Sequence, residues 1–252
     1  MNSTKLRIVQ DIVNLNEDKI DGIYLHIDKN NLFKCHALII GPTNTPYFGG
    51  NYIFEIIFPK DYPNNPPKVK LLTINNIVRI NPNLYADGKV CLSILGTWNG
   101  PKWTKVMNLR TVLLSIQSLL SEFPILNEPG YENTLPTDIK SINYNYYIVY
   151  HNYNLAIIDI LKSLEDKKKC LIPTVHLFKE EIECEFKKNF KNIYDNLKSY
   201  MITIGEVDVT TDKEYIYFIK KEGSNIVDFI DLKNKFDNLS LIKNEYLNKL
   251  IE

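Results

Sequence analysis

Three short runs follow one another between Gly22 and Phe58, and turn-forming residues part them. Gly22 to Ile27, Phe33 to Ile40 and Asn51 to Phe58 are rich in Ile, Leu, Tyr and Phe, which suit a pleated, half-buried surface. In the third, Tyr52, Phe54, Ile56 and Phe58 share one face, while Ile53, Glu55 and Ile57 share the other, because successive strand side chains point to opposite sides. Asp28-Lys29-Asn30-Asn31 and Tyr47-Phe48-Gly49-Gly50 supply the turns, so the runs form an antiparallel meander. Val69 to Thr73 reads as a fourth strand. Prolines 59, 63, 66 and 67 forbid regular structure between the third and fourth, leaving a rigid loop. Cys35 alternates with Phe33 and Ala37 as a small core residue, and His26 and His36 read as ordinary strand side chains.

Helical spacing dominates the flanks. Ser3 or Thr4 can cap a first helix with Leu6, Ile8, Ile12, Val13 and Leu15 on its apolar side. From Asn108 onward, Leu109, Val112, Leu113, Ile116, Leu119 and Leu120 recur at helical spacing and are expected to pack on the sheet. A third helix is expected near Thr137, with Ile142, Tyr146, Val149, Tyr153, Ile157, Ile160 and Leu164 in steps of three and four. After Pro173 come Phe178, Ile182, Phe186, Phe190, Ile193, Leu197 and Met201, then a short strand or loop at Tyr215 to Ile219. Helical spacing returns between Ile226 and Ile251, at Leu239, Ile242, Tyr246 and Leu250. The pattern predicts an α+β fold: a four-stranded antiparallel meander flanked by helices, with a core over residues 1–165 and a helical C-terminal extension over 166–252.

Composition narrows the function classes. Lys+Arg and Asp+Glu are both 30, so no net field favours nucleic acid or an anionic membrane. No run is long enough to span a bilayer, and the N-terminus lacks a signal peptide's apolar core. Cys35, Cys91, Cys170 and Cys184 stand far apart without metal-ligand spacing, so no metal site is expected. Free thiols suit a reducing compartment, and a cytoplasmic or nuclear location is expected.

The chemistry-bearing stretch is Arg79 to Trp103, RINPNLYADGKVCLSILGTWNGPKW. Cys91 follows an Asp87-Gly88 turn signal, and Asn83 in the stiff Asn81-Pro82-Asn83 tripeptide offers a side-chain amide near it. No histidine lies in the stretch, so a protease-type Cys/His pair cannot form locally. With Pro-Tyr-Phe-Gly-Gly at 46–50, Phe-Pro-Lys-Asp-Tyr-Pro-Asn-Asn-Pro-Pro-Lys at 58–68 and the helix at Val112 to Leu120, this stretch resembles the ubiquitin-conjugating enzymes. It is most similar to their large branch, which carries Asn-Pro-Asn and a C-terminal extension.

The resemblance implies that Cys91 takes ubiquitin from an activating enzyme as a thioester and passes it to a substrate lysine, with a ligase as a further partner. No cofactor is then needed on this chain, because ATP is used upstream. Asn83 stands where the family's motif asparagine is proposed to meet the developing oxyanion; bracing the loop is the other reading, and both can hold. Asn81 replaces the family's usual histidine and can brace the loop but not titrate. Glu128 holds the place of an acid that aligns the incoming lysine, and Lys5 and Arg7 resemble the basic residues that contact the activating enzyme. Asn64 and Thr104-Lys105-Val106 depart from the family's ligase-docking pattern. Conjugation of a ubiquitin-like modifier stays open, as does a non-catalytic ubiquitin-binding scaffold. The extension either biases the choice of partner or stabilises the core.

Overall fold

The computed structural model describes residues 3–166, 172–208 and 226–239. Strands β1 (Ile23–Ile27), β2 (Lys34–Ile40), β3 (Asn51–Ile57) and β4 (Lys68–Leu71) form one sheet in that order, and every neighbouring pair is antiparallel. The meander expected from the turn chemistry is present. β4 ends before Thr73 because that residue's hydroxyl replaces a backbone partner, accepting from Ile53 N at 2.9 Å and donating to Asn51 O at 2.9 Å.

Helix α1 (Ser3–Glu17) buries Ile8, Ile12 and Leu15, but Leu6 and Val13 from the expected apolar side are 53% and 39% exposed. Asp11 takes the inner face instead. Its carboxylate accepts from Arg7 Nε at 2.7 Å, from the Tyr62 hydroxyl and from Leu109 N at 3.1 Å, so α1, the proline loop and the next helix meet at one charge. Thr4 does not serve as a cap. It lies inside α1 and donates its hydroxyl to Lys60 O. Helix α2 (Leu109–Leu119) starts with a capping box in which Asn108 Oδ1 accepts from Thr111 N at 2.9 Å, satisfying a backbone donor that a helix start otherwise leaves unpaired.

Helix α3 (Ile139–His151) continues through a π-helical segment, Asn152–Ile158, into α4 (Asp159–Glu165). The periodicity read from sequence predicts regular α-helix here; the wider π turn is what presents Asn152 and Ala156 to the sheet. Asn152 accepts from the Tyr52 hydroxyl at 2.5 Å and donates to Phe48 O at 3.0 Å, while Asn51 donates to Ala156 O at 2.9 Å. Gly50 leaves room for this approach, since a Cβ there would stand 1.9 Å from Asn152 Oδ1.

After α4 the extension resumes with a 3-10 turn, Pro173–Phe178, and helix α5 (Lys179–Thr203). A two-stranded ribbon, β5 (Glu206–Asp208) with β6 (Ile226–Asp228), then leads into α6 (Phe229–Asp237). The ribbon replaces the helix start expected at Ile226, and Asp228 caps α6 by accepting from Ile230 N and Asp231 N, each at 2.9 Å. Cys170, Tyr215 to Ile219, Ile242, Tyr246 and Leu250 lie outside the described residues.

The extension decides the environment of the sheet. Register places Tyr24, Leu38 and Ile53 on one face, with His26, His36 and Glu55 beside them. Tyr24 donates its hydroxyl to Glu185 of α5 at 2.8 Å, and the His26 ring meets Phe178 edge-on at 6.2 Å. Leu38 and Ile53 are 0% exposed. The opposite face, with Cys35, Ala37, Ile39, Phe54 and Ile56, joins the same continuous core as Val112, Leu113 and Ile116 of α2. The first face is therefore covered over Leu38 and Ile53 but open toward its far edge, where Ile57 is 40% exposed and Lys68 and Lys70 of β4 are exposed. No helix among the described residues is long and apolar enough to cross a membrane.

Candidate active site

Residues 79–103 leave the sheet as an irregular loop whose shape is set by its own hydrogen bonds. The Asp87-Gly88 turn closes on Tyr85, with Gly88 N donating to Tyr85 O at 2.9 Å and Lys89 N to Asp87 Oδ1 at 2.9 Å. Gly88 has φ +89° and offers its carbonyl to Leu71 N of β4 at 2.8 Å. A Cβ at that position would meet Leu71 O at 2.4 Å, so only glycine docks the turn against the sheet. The turn folds Leu84 back beside Val90, and Asn83 comes to lie opposite Cys91.

Asn83 and Cys91 hold each other twice. Cys91 N donates to Asn83 O at 2.8 Å, and Asn83 Nδ2 donates to Cys91 O at 2.7 Å. One of the two amide hydrogens is thereby used, and the other remains for a further acceptor. Asn81, fully buried, donates to the Tyr47 hydroxyl and to Leu119 O, each at 2.8 Å, and accepts from Asn83 N at 2.8 Å. Through it the loop is tied to the end of α2 and to Tyr47, whose hydroxyl in turn donates to Ile80 O at 3.0 Å.

On the far side of the thiol, the Thr97 hydroxyl donates to Val90 O at 2.7 Å and accepts from Leu92 N at 3.0 Å, which clamps the residues on both sides of Cys91. Trp103 Nε1 donates to Pro63 O at 2.8 Å and anchors the loop's end to the proline segment. Cys91 itself is 1% exposed, Leu92 to Leu95 are half-buried, and Gly96 to Lys102 are exposed. Of the other described cysteines, Cys184 is exposed on α5, whereas burial pushes the Cys35 thiol up to about 12 and removes it as a nucleophile.

Glu128 follows a short 3-10 turn, Pro124–Asn127, and its Oε2 lies 3.2 Å from the guanidinium of Arg79. Partial burial pushes the Glu128 carboxyl up from its ordinary range, and Arg79 pulls it back. Arg79 also donates to Pro82 O and lies over the Tyr85 ring, 4.1 Å from its centre. Reading the sequence missed Arg79. A signal was present: the chain has 30 Lys+Arg, of which only Arg7, Arg79 and Arg110 are arginine, and each arginine occupies a junction that asks for a planar fork. Arg7 bonds Asp11, Lys105 O and Met107 O, and Arg110 bonds Asp18. Arg7 is thus engaged within the chain, while Lys5 is exposed. Asn64 and Val106 also stand exposed, Val106 at 86%.

The family model described as ubiquitin-conjugating enzyme matches residues 7–147, more than half of the chain. The chain belongs to the ubiquitin-conjugating enzyme family. It is 38% identical over 243 residues to the Xenopus tropicalis protein named ubiquitin-conjugating enzyme E2 Z, covering 96% of this chain and 69% of that one. Against the human protein of that name it is 43% identical over 192 residues, covering 75% of this chain and 51% of its relative; the chain thus spans about half the length of the human protein. A human dual E2 ubiquitin-conjugating enzyme/E3 ubiquitin-protein ligase, BIRC6, is 43% identical over 141 residues, 52% of this chain and 3% of that protein. Similarity to the frog protein must run through the extension, whereas the last match spans little more than half of the chain.

Proposed function

We propose that this conjugating enzyme carries ubiquitin as a thioester on Cys91 and transfers it to a lysine amine of a protein substrate. The observation that carries the reading is the paired Asn83 and Cys91 contact, which fixes a side-chain amide on the backbone of the residue that bears the thiol. In the first step the Cys91 thiolate attacks the thioester held by an activating enzyme; its carbon–sulfur bond to the modifier forms as the other breaks, so ATP is used upstream and not by this chain. Ubiquitin ends in glycine, and a chain end without a side chain needs the least displacement to reach a thiol that lies just under the surface.

In the second step a lysine arrives mostly as ammonium, with an ordinary pKa near 10.4, and must shed a proton before it attacks. The first proton goes to solvent, the carbon–nitrogen bond forms, the nitrogen releases a second proton to solvent as the carbon–sulfur bond breaks, and the departing thiolate takes one proton back, a net release of one. The second hydrogen of Asn83 Nδ2 faces the charge that develops on the carbonyl oxygen, and Glu128 receives the ammonium. Asn81 keeps the loop rigid through both steps. Lys5 is the basic side chain on α1 free to meet the activating enzyme, and a free nucleophilic thiol fits the cytosol or nucleus.

The test is a charging assay with a panel of activating enzymes, ATP, and ubiquitin or its relatives, resolved on non-reducing gels. One added modifier, removed by thiol reductant and absent in Cys91→Ala, is the expected result. A reductant-sensitive band that survives Cys91→Ala would move the chemistry to another cysteine, and no band with any pair would make the protein a scaffold.

A further inference from the structure

Arg79 is 8% exposed, and its guanidinium faces three parts of the site. It donates to Pro82 O between Asn81 and Asn83, it lies 4.1 Å from the centre of the Tyr85 ring, and it pairs with Glu128 at 3.2 Å. Glu128 stands 49 residues further along the chain, on a loop after α2. Arginine suits this junction because its flat, five-donor fork can bond a carbonyl and a carboxylate at once while stacking on an aromatic face.

The pairing with Glu128 is one-sided. Oε2 meets Arg79, and Oε1 meets no donor among the described residues, so the carboxylate is anchored by one oxygen and offers the other. The other charged groups on the Tyr85 and Gly130 segments have partners of their own. Lys89 approaches the Tyr85 ring at 5.4 Å, and Lys140 lies 5.8 Å from the ring of Tyr131. Glu132 accepts from Gly130 N at 2.9 Å.

We propose that Arg79 is a positioning residue for lysine acceptance: it fixes the Glu128 carboxylate in direction against the Asn81–Asn83 loop, so the acid that receives the ammonium and the Asn83 amide on the Cys91 backbone keep one geometry. The inference rests on the reading of Glu128 as that acid. Burial favours the neutral form of Glu128 and Arg79 favours the carboxylate. Lysine transfer needs the carboxylate, so it is present above the Glu128 pKa and is lost as pH falls through it. Removing Arg79 leaves burial unopposed and moves that loss to higher pH.

The experiment uses the full chain, charged with ubiquitin and freed of activating enzyme, and follows single-turnover discharge onto free lysine and onto hydroxylamine. Hydroxylamine is uncharged at neutral pH and needs no acid to receive it. Arg79→Met is expected to lower the ratio of lysine to hydroxylamine rates about tenfold, as misplacement of a reacting group does, and to shift the acid limb of the lysine profile to higher pH. Glu128→Gln should lower the ratio at least as far, and the double variant no further than Glu128→Gln alone.

Arg79→Lys keeps the charge but not the fork. It should retain the original acid limb with a lowered ratio, and it serves if Arg79→Met fails to fold. An effect of Glu128→Gln with an unchanged ratio in both Arg79 variants overturns the role of Arg79 and leaves the reading of Glu128 standing. Equal slowing of both nucleophiles makes Arg79 a loop brace and also overturns it. No effect of Glu128→Gln removes the acid, and the inference with it.

Discussion

The loop around Cys91 and the extension beyond Pro173 are held together by different forces. The loop relies on directional bonds: Asn81, Asn83, Thr97 and Arg79 each fix a backbone carbonyl or amide within two residues of another such contact. The extension relies on rings. Phe236 packs against Phe186, Phe190, Tyr194 and Tyr153, and Phe229 stacks on Tyr200 at 5.1 Å. Hydrogen bonds add about 1 kcal/mol each to net stability but fix direction, whereas a buried aromatic contributes several times as much with little demand on angle. The loop is thus built for geometry and the extension for free energy.

Three measurements sharpen that contrast or break it. Phe236→Ala should cost about 3 to 5 kcal/mol of unfolding free energy, read in denaturant titrations, while the fraction that stays folded still charges at Cys91. Loss of charging in folded Phe236→Ala protein would show that the extension also shapes the site. Asn83→Ala should invert the pattern. Lysine discharge should fall about a hundredfold to a thousandfold with an unfolding midpoint near that of the parent, and a large stability loss with unchanged discharge would leave Asn83 a brace alone.

The third effect shows only as pH falls and concerns His151, at the joint between α3 and the π segment. Burial pushes its imidazole down to about 3, its ring lies 4.4 Å from that of Tyr147, and its Nε2 meets no partner among the described residues. The folded state keeps it neutral while the unfolded chain takes a proton below about 6.5. Stability is therefore complete above about pH 6.5 and falls as pH drops toward 3, by about 1.4 kcal/mol per unit from this group. Unfolding titrations of His151→Phe between pH 7 and 4 should show a shallower decline, and parallel curves would refute the assignment.

Much of this was open to reading. The alternation in β3, the turn at Asp87-Gly88 and the helical spacing from Asn108 onward are local patterns, and each predicted its element. The exposed Leu6 and Val13 show the limit, because helical spacing identifies an apolar stripe but not how wide a face its neighbours will cover. Asp11 was hidden for a related reason: a charged residue enters a core only when partners converge on it, and here they come from Arg7, Tyr62 and Leu109.

Sequence by itself determined the meander, the helices and the stretch that holds Cys91, since period, turn chemistry and motif spacing act over a few residues. Tertiary structure alone decided that Tyr24 and His26 of the sheet meet the extension, that a π turn brings Asn152 to Tyr52, and that Arg79 meets Glu128 across 49 residues. Those contacts join segments whose local preferences carry no trace of one another. They form because packing the extension and the loops onto one sheet brings these buried polar groups within reach of partners that no local segment supplies.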